Sequence, residues 1–116
     1  MTKPTAVGLI GLGLLGQAFA HRLRTAGFEV EGFDVDPAKK AKLAELGGGA
    51  AASVADVALR CGPIVLAVFS TDQVEAVVEG ELLPALGDGS GKIVLCASTC
   101  DPERIAALGE RASARV

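Results

Sequence analysis

Apolar positions along this chain follow two rhythms. Short continuous apolar runs at Val7–Ile10, Ile64–Phe69 and Lys92–Cys96 have the pattern of strands covered on both faces, as in a parallel sheet. Between them the period lengthens: Leu15, Phe19, Leu23 and Ala26 fall on one helical face, leaving His21, Arg22, Arg24 and Thr25 outward. Gly27 then closes that helix, and Phe28–Asp34 forms a second strand around Val30 and Phe33.

Helix starts are written into the polar residues. Asp36-Pro37 pairs an N-cap with a proline at the first helical position and predicts a helix over Ala38–Leu46. After Gly47-Gly48-Gly49, Ala50–Ala52 reads as a short extended link. Ser53-Val54-Ala55-Asp56 resembles a capping box opening a small helix that ends near Arg60, and Gly62-Pro63 breaks the chain before the Ile64 strand. Ser70-Thr71-Asp72-Gln73 is a second box, with a helix through Val78. A short helical turn over Glu81–Leu86, a loose connection at Gly87–Gly91, and a final helix opened by Asp101-Pro102 complete the chain. Met1–Thr5 read as a polar lead-in. Alternating strands and helices predict an α/β fold: a Rossmann-type, doubly wound parallel sheet in three layers, with residues 1–116 as one dinucleotide-binding domain.

The first strand runs into Gly11-Leu12-Gly13-Leu14-Leu15-Gly16, a G-x-G-x-x-G spacing that opens a helix. Gly11 permits the turn, Gly13 lets backbone approach a pyrophosphate, and Gly16 lets helix pack on strand. A diphosphate would lie on the free N–H groups at the positive end of that helix. Asp34 ends the second strand at the distance the fingerprint demands, where a carboxylate accepts hydrogen bonds from ribose hydroxyls and repels a 2′-phosphate. This favours NAD over NADP, although Lys39 and Lys40 stand close enough to soften the preference.

Composition narrows the partners. Half of the 116 residues are hydrophobic and 22% charged, with a net charge of -3, so the chain is globular and carries no basic footprint for nucleic acid. Four Phe, with no Tyr or Trp, leave little surface for stacking bases. Three cysteines without a C-x-x-C pair suggest neither a disulfide framework nor a metal site; Cys61 and Cys96 read as small core residues in a reduced, cytoplasmic protein. His21, on an outward helical face, reads as inert. The apolar stretch Ala6–Gly16 mimics a secretory leader, but its glycines suit a strand and turn better, and it is too short to cross a bilayer.

With the glycine turn, Asp34, the Phe69-Ser70-Thr71-Asp72 corner and Ala97-Ser98-Thr99 followed by Pro102, the chain resembles the N-terminal domain of the β-hydroxyacid dehydrogenases. That family includes 3-hydroxyisobutyrate dehydrogenase and tartronate semialdehyde reductase, and is related to 6-phosphogluconate dehydrogenase. The resemblance runs from Val7 to about Arg115. It implies a cofactor site made by Gly11, Leu12, Gly13, Leu14, Leu15, Gly16, Asp34, Val35, Phe69, Ser70, Thr71 and Thr99, with Ser98 and Thr99 toward the substrate. It departs from the family at Phe69-Ser70, where Leu-Pro is usual, and at Cys96-Ala97, where Asp-Met is usual. Both departures touch the floor of the site, where substrate is chosen.

Family members continue into a substrate-binding Ser-Gly-Gly segment and a helical domain with the catalytic lysine, expected here beyond Val116. Lys3, Lys39, Lys40, Lys42 and Lys92 lie at none of the positions of that base, so no catalytic residue is expected in this chain. The implied function is the NAD-binding module of an oxidoreductase acting on a small 3-hydroxy acid or its semialdehyde, with little turnover by these residues alone. A non-catalytic dinucleotide-sensing module is the alternative, and an uncovered sheet edge would favour a homodimer.

Overall fold

A computed structural model describes residues 6–87 and 91–113. The expected lead-in at Met1–Thr5 and the centre of the Gly87–Gly91 connection lie outside the described residues. The strands are β1 (Ala6–Ile10), β2 (Val30–Phe33), β3 (Gly49–Ala50), β4 (Cys61–Leu66) and β5 (Val94–Cys96). The helices are α1 (Leu14–Thr25), α2 (Pro37–Glu45), α3 (Val54–Arg60), α4 (Thr71–Val77), α5 (Leu83–Leu86) and α6 (Pro102–Ser113), with a π-helical stretch at Val78–Leu82 joining α4 to α5. All strand pairs are parallel, in the order β3-β2-β1-β4-β5. The order reverses between β1 and β4, and in open α/β sheets the crevice at such a reversal is where ligands bind.

Side chains alternate across the sheet and divide the core into two layers. Val7 and Leu9 of β1 and Val65 of β4 pack with Ala20 and Leu43, backed by Phe19 and Leu23, so α1 and α2 cover that face. Ile10, Ile64 and Leu66 point the other way, onto Val57 of α3, Val74 of α4, Leu82, Leu83 and Leu108 of α6. The three-layer, doubly wound sheet expected from the sequence is therefore present.

Several elements differ locally from those the sequence predicts. The strand expected over Ile64–Phe69 starts earlier, at Cys61, and carries Gly62-Pro63 inside it. The pairing with β1 shifts register between Ala6 and Gly8, and an irregularity of this kind admits a proline that regular pairing would not. Ala67, Val68 and Phe69 leave the strand, and Phe69 is 93% exposed. The run Lys92–Cys96 is not a buried strand: β5 is a three-residue edge strand, Leu95 is half exposed, and Cys96 is exposed rather than in the core. Leu15 and Ala26 do not face the sheet; both are exposed, and α1 turns Gly16 and Ala20 inward.

The two proposed boxes also differ. At Ser70 both halves are present, the hydroxyl accepting the Gln73 N–H and the Gln73 side chain returning to Ser70. At Ser53 the hydroxyl caps Asp56, but the Asp56 carboxylate accepts from the Ala52 N–H instead. The turn expected at Glu81–Leu86 is preceded by the π-helical stretch; Pro84 offers no N–H to the turn behind it, and a widened turn accommodates that loss. Among the described residues, no helix is long and apolar enough to cross a membrane.

Candidate cofactor-binding site

A cleft of about 640 Å³ opens at the carboxyl ends of the central strands. The glycine turn and the start of α1 form one side, Asp34 and Val35 a second, and Phe69 with Ala97–Thr99 the far end. Its size falls within the range of small-molecule sites, about 300–1,000 Å³.

Each glycine of the turn meets different surroundings. Gly11 has φ of 97°, in the left-handed region, and a Cβ there would sit 2.5 Å from the Ala67 carbonyl oxygen. A Cβ on Gly16 would sit 2.0 Å from the Gly11 carbonyl oxygen, so these two positions are closed by the protein's own backbone. Gly13 is the opposite: a Cβ there would find nothing within 4 Å, and the space it would fill belongs to the cleft.

Gly13 is also the N-cap of α1, and among the described residues no side chain caps the first turn of that helix. That turn contains no acidic residue, while Arg22 and Arg24 occupy the last turn. The first turn of α1 thus carries no carboxylate of its own to compete for its donors and positive dipole end, which is the arrangement that receives a phosphate-bearing ligand. On this observation the residues present fit a dinucleotide.

Asp34 is half-buried on the cleft wall. Its Oδ2 accepts the Leu12 N–H at 2.8 Å and its Oδ1 accepts the Asp36 N–H at 2.9 Å. Gln17 adds a second fastening, its Nε2 donating to the carbonyls of Leu12 at 3.1 Å and Lys39 at 3.0 Å. Turn, α1 and the start of α2 are thus held as one piece around the mouth of the site. Lys39 reaches the lining, and Lys40 instead lies over the Phe33 ring at 5.3 Å.

At the far end, Phe69 and Thr99 are exposed into the opening, and the Ser98 hydroxyl donates to the Leu66 carbonyl at 3.5 Å. Of the residues expected from the sequence, Gly11, Gly13, Leu14, Leu15, Asp34, Val35, Phe69, Ser98 and Thr99 come together on the lining. Leu12, Gly16, Ser70 and Thr71 do not. The Leu12 side chain is buried, Gly16 is packed against the turn, Ser70 caps α4, and the Thr71 hydroxyl accepts the Asp101 N–H at 2.9 Å.

In the sequence Gln73 stands only as a capping residue. It also lines the cleft, and its Oε1 accepts the Phe69 N–H at 2.6 Å and the Ser70 N–H at 3.2 Å, which fixes the corner carrying Phe69. The capping box was its only sequence signal.

The titratable side chains on the lining are Asp34, Lys39 and Glu81. Lys92 lies elsewhere, its ammonium donating to the carbonyls of Ala58 and Cys61 near the end of α3. His21 is exposed on α1, outside the lining. No group of three or more His, Cys, Asp or Glu among the described residues is placed to hold a metal ion. Cys61 is buried, and burial, reinforced by Glu31, pushes its thiol up to about 11.

Comparison with known proteins gives the family and the fold. L-threonate dehydrogenase of Cupriavidus necator is 36% identical over 105 residues, covering 90% of this chain and 35% of that protein. The NAD(+)-dependent, decarboxylating 6-phosphogluconate dehydrogenase of Haloferax volcanii is 38% identical over 91 residues, 76% of this chain and 30% of that protein. The chain thus spans about a third of the length of these curated relatives. An imine reductase from Myxococcus stipitatus, V8 variant in complex with NAD+, superposes with a TM-score of 0.85 at 25% identity, covering 97% of this chain and 38% of that one. A family model described as the NAD binding domain of 6-phosphogluconate dehydrogenase matches residues 6–116, and with an uncapped helix behind a glycine turn, the chain belongs to that family of nicotinamide-cofactor-binding domains.

Proposed function

We propose that this chain is the cofactor half of an NAD-dependent oxidoreductase acting on a small 3-hydroxy acid or the matching semialdehyde. The observation that carries the proposal is the uncapped first turn of α1, opening beside Gly13 onto the cleft. The N–H groups of that turn would hold the diphosphate, with Leu14 and Leu15 flanking it. Asp34 would accept from the adenosine ribose hydroxyls with the lone pairs that Leu12 and Asp36 leave, and Val35, 88% exposed, would give the adenine an apolar surface.

The nicotinamide, when bound, supplies the hydride donor or acceptor. Phe69, Ser98 and Thr99 would border the reacting end, where the Thr99 hydroxyl offers a donor and acceptor to a hydroxy-acid oxygen. The names of the curated relatives, a threonate dehydrogenase and a phosphogluconate dehydrogenase, support a polar hydroxy-acid substrate. Oxidising such a hydroxyl also requires a base to take its proton. We assign that base to a lysine outside these 116 residues, so the chain is one dinucleotide-binding domain of a two-part active site.

An Asp at the ribose corner selects NAD by repelling the added phosphate of NADP. Calorimetric titration with NAD and NADP tests this: the native chain should favour NAD, and Asp34→Ser with Val35→Arg should shift the preference toward NADP. An unchanged preference would remove Asp34 from the ribose corner. No heat with either dinucleotide at millimolar concentration would overturn the proposed function.

A further inference from the structure

Cys96 and Cys100 stand at the two ends of the Ala97-Ser98-Thr99 segment, with their sulfurs 3.8 Å apart. Cys96 is exposed at the end of the edge strand β5, and Cys100 is half-buried just ahead of α6. Closing the pair to a disulfide of about 2.04 Å needs the sulfurs to approach by roughly 1.8 Å, within reach of side-chain rotation across a connection, residues 97–100, that lies outside helix and strand. Cys61, buried on the far side of β4, has no such neighbour, and its thiol is held in the protonated form.

We propose that Cys96 and Cys100 are an oxidation site, forming an intrachain disulfide with a peroxide as oxidant and so bridging the segment that carries Ser98 and Thr99. The Cys96 sulfur attacks one peroxide oxygen; the O–O bond breaks and the departing hydroxide leaves as water with the thiol proton, giving a sulfenic acid. Cys100 then attacks that sulfur, the S–O bond breaks, and the second hydroxide leaves as water with the Cys100 proton. Two thiols and one peroxide give one disulfide and two waters. Burial pushes the Cys96 thiol up, and only the thiolate attacks, so the reaction quickens as pH rises.

The bridge constrains one wall of the cleft, because Ala97, Ser98 and Thr99 all line it. The Asp101 N–H is pinned by the Thr71 hydroxyl at 2.9 Å, so drawing Cys100 toward Cys96 is taken up in the segment between the two cysteines. A changed cofactor affinity on oxidation is therefore expected, and that consequence rests on the dinucleotide-binding reading proposed above.

The test treats the purified chain with hydrogen peroxide, alkylates the remaining thiols before and after unfolding, and reads the peptides by mass spectrometry. Cys96 and Cys100 should lose alkylation together as an internal disulfide reversed by dithiothreitol, while Cys61 stays a free thiol. In Cys100→Ser, Cys96 should instead pass on to sulfinic acid. The proposal is overturned if both thiols remain alkylatable in the native chain, if Cys96 is over-oxidised there as readily as in Cys100→Ser, or if the disulfides are intermolecular. Calorimetry should show NAD affinity altered several-fold by oxidation in the native chain and untouched by the same treatment in the double variant Cys96→Ser with Cys100→Ser, which has no thiol at either end of the segment. Equal affinities would overturn the effect on the cleft. Absence of NAD binding in reduced and oxidised chain alike would overturn the dinucleotide reading, leaving the disulfide to be decided by the peptide masses.

Discussion

The carboxylate of Asp34 accepts the backbone N–H of Leu12 at 2.8 Å, tying the end of β2 to the glycine turn after β1. Its other oxygen holds the Asp36 N–H, so one side chain organises two loops of the cleft. Asp34→Ala removes both acceptors at once. A half-buried N–H left without a partner costs about 1–3 kcal/mol, so thermal unfolding should move down by several degrees. Asp34→Asn keeps one acceptor oxygen and should retain part of that stability. Equal melting temperatures for Asp34→Ala and the native chain would mean that the carboxylate does not hold the turn.

Gly13 and Gly16 separate binding from folding. Gly13→Ala adds a methyl into open space at φ of -74° and ψ of -159°, which alanine adopts without strain. Its melting temperature should match the native chain, while NAD affinity falls at least about tenfold, or about 1.4 kcal/mol, because the methyl occupies ligand space. Gly16→Ala drives a methyl into a backbone carbonyl and should destabilise the fold by about 2 kcal/mol or more. Denaturation curves and calorimetry on the two variants read this contrast. Comparable losses of stability would remove the distinction.

Much of this architecture was legible in the sequence because strand runs, caps and the glycine spacing agree with one another. The parallel sheet follows from the alternation of strands and helices, and the Ser70 box and the Asp36 cap from local chemistry. What escaped depended on partners distant in the chain. Pro63 lies inside β4 because pairing with β1 shifts beside it. Cys96 and Leu95 read as buried because apolar runs do not reveal which strand becomes an edge. In the site, the spacing located Asp34 but not its bonds to Leu12 and Asp36, and Gln73 was hidden behind its role as a cap.

Cys61 gives a pH-dependent test of the core. Its folded-state pKa is raised to about 11 by burial, so near neutral pH almost no thiolate is present. Alkylation by iodoacetamide should be negligible in the folded chain at pH 8 and rapid after unfolding. Because the raised pKa keeps the neutral thiol favoured in the fold, stability is maintained at neutral pH and lost at alkaline pH, where the unfolded thiol ionises first. Full labelling of Cys61 in the folded chain at pH 8 would show that β4 is open to solvent. Cys61→Ser is a poor control here, since it places a hydroxyl in an apolar layer; Cys61→Ala is the better one.

The outward-facing fastenings of α6 differ in character from those of the sheet, while Leu108 on its inner face is buried in the core. Arg104 reaches Asp72 and Glu75 on α4, Arg111 reaches Glu79, and beneath them lies an apolar cavity of about 290 Å³. Ion pairs at the surface weaken as salt screens them, whereas the strand ladders and buried aliphatic layers do not. Ionic strength is therefore a dial on such surface pins, at Arg104 and Arg111 as at Arg24 and Arg60: brine slackens the outer grip of the last helix while the five strands keep their alignment.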